Sequence, residues 1–212
     1  MRSLTPCFAI TLALGSALSL GAIVVDRIAV IVASQIITSS DIETRLRLSA
    51  LQNGAATVDF SLAARRAAVQ SLIDQRLVGK EMDLGHYPRL EAAERARLLS
   101  VFAVSAFNNS VDDMDRALSR AGLQRQQLEE DLARQSELLL FLSLRFRLAV
   151  QISDAQVETR YRERMSPQVP LDVVRQSIEQ EIATEQADKE LDAWLARQRK
   201  STRIVFVDQD LQ

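Results

Sequence analysis

Cysteine, histidine and glycine are all scarce in this 212-residue chain, and each scarcity closes off a class of chemistry. Cys7 is the only cysteine and His86 the only histidine. Zinc sites of the Cys/His type and Cys–His catalysis need more of these residues than the chain has. A Ser–His–Asp triad would have to use His86, which sits beside Tyr87-Pro88 in a helix break. A solvated or capping histidine is the simpler reading there. An intramolecular disulfide is excluded by count. The six glycines are dispersed, so no Gly-rich phosphate loop is present. Asp112-Asp113-Met114-Asp115 reads more simply as an acidic helix start than as a metal site, and Glu129-Glu130-Asp131 as a solvated helix face. No catalytic residue, metal or cofactor is therefore expected. The formal charge is −2 and the pI about 5.6, without the basic excess that nucleic-acid binding needs.

What remains is ordinary globular composition, 47% hydrophobic and 25% charged, in a chain long enough for one sizeable core or two small domains. The start is different. Arg2 is followed by an uncharged run over residues 3–25, with an apolar segment over 8–20 and small residues at Ser19, Gly21 and Ala22. This is a secretory signal layout, with cleavage expected after Gly21 or Ala22. The same run is long enough to span a bilayer, so an uncleaved anchor is the rival reading. Cleavage would also remove Cys7.

Beyond the leader, residues 25–32 and 35–38 are rich in β-branched residues, with Ala33-Ser34 between them: a hairpin. Ser40 and Glu43 have the spacing of a capping box, opening a helix to about Gln52. Further helices fit residues 61–83, 90–107, 112–121, 125–150, 153–165 and 171–200. Gly79 lies inside the second of these at a cost of about 1 kcal/mol, which close packing with a neighbour would explain. The last short stretch, 203–208, is again β-rich. An isolated hairpin is marginal in water, so the hairpin and the C-terminal strand are expected to share one small sheet that ties the chain ends together. Trp194 shares a helix face with Leu191, Ile178 and Ile182, and is read as a structural anchor. The run over residues 138–150 is apolar almost all round. It must be buried on several sides or offer a binding surface, and Leu140, Phe141, Leu144 and Phe146 are its candidate binding residues.

In order along the chain, Val24-Val25-Asp26-Arg27-Ile28-Ala29-Val30-Ile31, Ser39-Ser40-Asp41-Ile42, Leu72-Ile73-Asp74-Gln75-Arg76-Leu77 through Gly85, Leu118 through Gly122-Leu123, Ile152-Ser153-Asp154 through Tyr161, and Trp194-Leu195 through Ile204-Val205 follow one pattern. This pattern resembles the SurA family of periplasmic chaperones over nearly the whole chain after the leader. There are two departures. The turn lacks the family's glycine, and since Ala33-Ser34-Gln35 does not readily supply a positive φ, a wider turn is expected. The family's parvulin prolyl isomerase domains are also missing, because only residues 166–170 separate the helical module from the closing helix.

The resemblance implies a mainly α fold like the SurA and trigger-factor helical modules. It would consist of a leader (1–22), an N-terminal helical domain (23–165), a junction (166–170), and a C-terminal helix and strand (171–212) that complete the unit. It further implies an ATP-independent chaperone that is not an enzyme. Its partners would be unfolded polypeptide clients, outer-membrane proteins among them, held in a crevice in the periplasm. The rival readings are a prolyl isomerase and, if the leader is retained, a membrane-anchored scaffold.

Overall fold

A computed structural model describes residues 26–164 and 169–212. The expected leader and most of the junction lie outside the described residues. Two strands, β1 (Ile28–Val32) and β2 (Gln35–Thr38), open the fold. Seven helices follow: α1 (Ser39–Gln52), α2 (Leu62–Leu84), α3 (Ala92–Phe107), α4 (Val111–Ala121), α5 (Arg125–Arg145), α6 (Asp154–Arg164) and α7 (Leu171–Ser201). Strand β3 (Ile204–Phe206) and a 3₁₀ turn (Gln209–Leu211) come last. The protein is mainly helical with one small antiparallel sheet.

The sheet order is β2-β1-β3, so the strand nearest the N-terminus is central, with one partner from the adjacent segment and the other from the C-terminal end of the chain. Val30 pairs with Ile37 on one side and Phe206 on the other, and this row faces the core. Ile31 pairs with Ile36 and Val205, which form the outer row. The period-2 alternation of the β-branched residues sets this register, since a slip by one residue would turn the inner row outward. The turn is tighter than the sequence suggests. Ala33-Ser34 alone connects the strands, with Ala33 at φ 54°. The Ala33 amide donates to the Arg203 carbonyl at 2.8 Å, so the returning chain supports the left-handed conformation.

The first helix is capped one turn segment earlier than expected. Thr38, not Ser40, is the N-cap. Its Oγ1 accepts from the Asp41 amide (3.2 Å), and the Asp41 carboxylate accepts from the Thr38 amide (3.0 Å). Strand β2 runs directly into the helix, which leaves Glu43 on the exposed face, paired with Arg47. The fifth helix is shorter than the apolar run suggested. It ends at Arg145 and passes into a 3₁₀ turn at Arg147–Ala149, where Phe146 folds back edge-on against Phe141 at 5.8 Å between ring centres.

Three apolar clusters result. The central one joins the inner face of the sheet, α2, Phe141, Trp194, Leu195 and Leu211. A second lies among α1, α3, α4 and the first half of α5. The third is a thin seam between α6 and α7, built on Val157, Ile178 and Ile182. The closing helix α7 is 31 residues long, about 46 Å at 1.5 Å per residue. Its second half covers the central core, and its first half packs with α6 as a projecting arm.

Ion pairs reinforce this arm. Glu185 accepts from Lys189 (2.7 Å) and from Arg160 (2.5 Å). Together they lower its carboxyl from 4.5 to about 2. A depressed acid adds stability above its ordinary pKa and loses it as the pH falls through the depressed value. Amide-exchange protection of α6 should therefore fall in Glu185→Gln at about pH 6. The gap from wild type should narrow progressively as the pH drops from about 4.5 toward 2. A gap independent of pH would contradict this assignment.

The C-terminal segment should be structurally required. A chain ending at Lys200 loses Ile204, Phe206 and the fully buried Leu211 from the central core, and it leaves one edge of β1 unpaired. The expected loss is about 3–5 kcal/mol from the apolar terms alone, a large part of the usual ~5–15 kcal/mol stability. A melting temperature within a degree or two of the full chain would contradict it.

Candidate functional site

A crevice of about 590 Å³ lies between α2, α5 and the second half of α7. On α2, the residues Ser71, Gln75, Val78, Gly79 and Met82 recur at helical spacing and line one wall. Leu138 comes from α5, and Leu191 and Leu195 from α7. The apolar members form the floor, and the rim carries Arg45, Arg76, Arg89 and Arg134 among Asp74, Asp83 and Glu137. An apolar floor with a few polar groups around it is the usual composition of a binding cleft.

Gly79 explains the width of this space. Close packing does not account for it, because a Cβ built at Gly79 would meet nothing within 4 Å. The missing side chain leaves that part of the wall open. The exposed Gly79 carbonyl accepts from Arg89 Nη2 at 3.0 Å. Arg89 also donates to Asp83 (2.6 Å) and Glu137 (2.7 Å). Its burial opposes the charge, but these bonds prevail and raise its pKa above the usual arginine value.

Two contacts fix α7 across the crevice. Arg199 donates twice to Asp74, at 2.8 and 2.5 Å. Burial still raises the Asp74 carboxyl above its ordinary value, since desolvation outweighs what Arg199 supplies. The pair thus fixes the geometry of α7 on α2 more than it adds net stability. The second contact is aromatic. Trp194 is 4% exposed and lies 5.5 Å from the Phe141 ring. Tyr87 and Phe146 meet Phe141 edge-on, and the Arg145 guanidinium stands over the Phe141, Phe146 and Trp194 rings at 5.7–5.8 Å. Arg145 also pairs with Glu81 at 2.7 Å.

The structure separates the four residues singled out in the apolar run. Phe141 is fully buried and belongs to the core, so it has no surface to offer a ligand. Phe146 is half-buried against it and borders a smaller concavity with Val150 and Gln186. Leu140 is half-buried and Leu144 is 41% exposed, and neither lines the crevice. Of the whole run, only Leu138 does. The crevice residues Val78, Gly79, Met82, Leu191 and Leu195 were not singled out as binding residues. The interior glycine in α2 was the one signal that could have pointed to them.

Two acidic stretches also resolve. Asp113 bonds the Ser110 cap hydroxyl through its amide and Arg116 through its carboxylate, in the first turn of α4. Asp131, expected on a solvated face, is 1% exposed. It accepts from Arg45 (2.9 Å), Gln52 (2.9 Å) and Gln135 (2.8 Å), joining α1 to α5. His86 is exposed, with φ 51°, at the end of α2. No helix among the described residues is long and apolar enough to cross a membrane.

No model of a known protein family matches the chain, and no curated protein matches it.

The aromatic contact is directly testable. Trp194→Ala should cost about 3–5 kcal/mol, as large-to-small changes at buried aromatics do. Trp194 is the sole tryptophan, so its emission reports on this contact alone. The native protein should emit in the blue and resist quenching. A red-shifted, freely quenched emission would contradict the packing described.

Proposed function

We propose that this protein is a periplasmic, ATP-independent holdase that keeps unfolded polypeptides, outer-membrane proteins among them, from aggregating. The observation that carries the reading is the open crevice over an apolar floor, framed by charged side chains. A holdase must bind many sequences weakly and release them. This needs accessible apolar surface and a rim that keeps the empty site soluble, and no bond is made or broken. Each ~100 Å² of client apolar surface removed from water is worth about 2.5 kcal/mol before the cost of ordering the client. A client segment laid along the half-buried Leu138 and Leu191 would give a reversible complex. The motif order that resembles SurA-type chaperones and the secretory layout of the first 22 residues support the same reading, with action in the periplasm. A parvulin-type isomerase would need a shaped pocket for a twisted X–Pro amide, against a barrier of ~18–20 kcal/mol. The few residues between α6 and α7 leave no room for that domain.

Gly79→Leu supplies the test. It places a side chain into the crevice from a wall where a Cβ meets nothing within 4 Å. It also replaces a helix-interior glycine, which favours the fold by up to ~1 kcal/mol. The wild type should suppress light scattering by a diluted, unfolded outer-membrane protein, and Gly79→Leu should lose most of that effect while melting no lower. Neither should accelerate a proline-limited refolding reaction. Unchanged scattering with several-fold excess wild type would overturn the holdase reading. A refolding rate that climbs with catalytic amounts would favour an isomerase.

A further inference from the structure

We propose that the crevice prefers apolar client segments flanked by one acidic side chain, and that Arg76 and Arg134 receive its carboxylate. The inference rests on the client-binding reading above and adds the chemistry of the client.

At its α1 end the crevice runs into a polar recess of about 270 Å³, and Arg45, Gln75, Arg76 and Arg134 line both spaces. Three guanidiniums from three helices therefore stand where the two spaces meet. Arg45 is engaged, donating to Asp131 at 2.9 Å. The other two form only long ion pairs, without a hydrogen bond. The nearest carboxylate to Arg76 is Asp41 at 3.8 Å. Arg134 lies 3.8 Å from Glu130 and 4.0 Å from Asp131. These distances are beyond a hydrogen bond, and neither guanidinium donates one to any acceptor among the described residues. Asp131 is already held by Arg45, Gln52 and Gln135, so it is committed elsewhere. The contrast with the rest of the crevice is sharp. Arg89 and Arg199 each make short bonds to carboxylates there.

Two guanidiniums with unused donors beside an apolar floor fit a carboxylate, which matches the guanidinium fork in two parallel hydrogen bonds. An unfolded chain carries carboxylates on Asp and Glu side chains and at its C-terminus. The side chain is the better fit, because the crevice continues past the arginines into the recess and a chain can run on in both directions. The recess also carries Asp41, Glu130 and the already committed Asp131, so one acid is favoured there and a run of acids is repelled.

Fluorescence anisotropy with the full chain tests this directly. Three blocked peptides share one apolar core and carry Glu, Gln or Lys at one flank; a fourth carries Gln and a free C-terminal carboxylate. The Glu peptide should bind about five- to tenfold tighter than the Gln peptide at low salt, and the Lys peptide weakest. In Arg76→Gln/Arg134→Gln the Glu advantage should vanish while the Gln peptide binds as before. The wild-type ranking needs no variant, so the test does not depend on the double variant folding. Equal binding of the Glu and Gln peptides, or a Glu advantage that survives in the double variant, would overturn the acid preference alone. A gain confined to the fourth peptide would assign the arginines to a chain terminus instead. Failure of every peptide to bind would overturn the client-binding reading as well.

Discussion

Antiparallel pairing of β1 with β3 closes almost the entire described chain into one loop, and the remaining architecture depends on it. β1 carries the buried Val30 and Val32 and hydrogen-bonds on both edges. Without β3 it would sit in a two-stranded hairpin, which is marginal in water. The closure entropy of so long a loop is offset by burial of Ile204, Phe206 and Leu211 in the same core. Once β3 is seated, α7 must lie over α2 and α5, because Thr202-Arg203 leaves almost no slack between helix and strand. Trp194 beneath Arg145 and the Asp74–Arg199 pair then fix its position along the helix axis.

The crevice follows from that seating. Two long helices packed along their full length would leave no open groove. Here α7 touches α2 through Trp194 and Leu195 while Ser71 and Gly79 present little side chain. The space between is bounded by ion pairs that hold the walls apart at defined points: Arg89 with Asp83 and Glu137 at one end, Arg45 with Asp131 at the other. Paired charges of this kind add little net stability when partly exposed. Their value here is positional, and the same rigidity leaves Arg76 and Arg134 with long ion pairs and no hydrogen-bonded carboxylate.

Much of the architecture is legible in the sequence, for identifiable reasons. The helices are marked by apolar spacing and by caps at Ser61, Ser110, Gly85 and Gly122. The three strands are the only β-branched runs at the two ends of the described chain, and a marginal hairpin needs a partner. The turn was harder to read, because the bond from Ala33 to the Arg203 carbonyl comes from the far end of the chain. The same applies to Asp131, whose burial depends on Arg45 and Gln52 from another helix. The crevice was the least legible part. In a helix that is apolar all round, periodicity does not separate Phe141, which is core, from Leu138, which borders the crevice. That distinction depends on where α7 crosses, and α7 is placed by contacts with residues far away in sequence, Phe141, Arg145 and Asp74 among them.

Site-specific photo-crosslinking tests the central claim, that unfolded clients occupy the space between α2 and α7. A photoreactive residue replaces Gln75, half-buried on the crevice wall, or Leu148, which is 76% exposed outside it. Each protein is illuminated with an unfolded outer-membrane protein. The account predicts strong adducts from position 75 and weak ones from position 148, although position 148 is the more accessible. Equal adducts from both, or stronger ones from position 148, would contradict it.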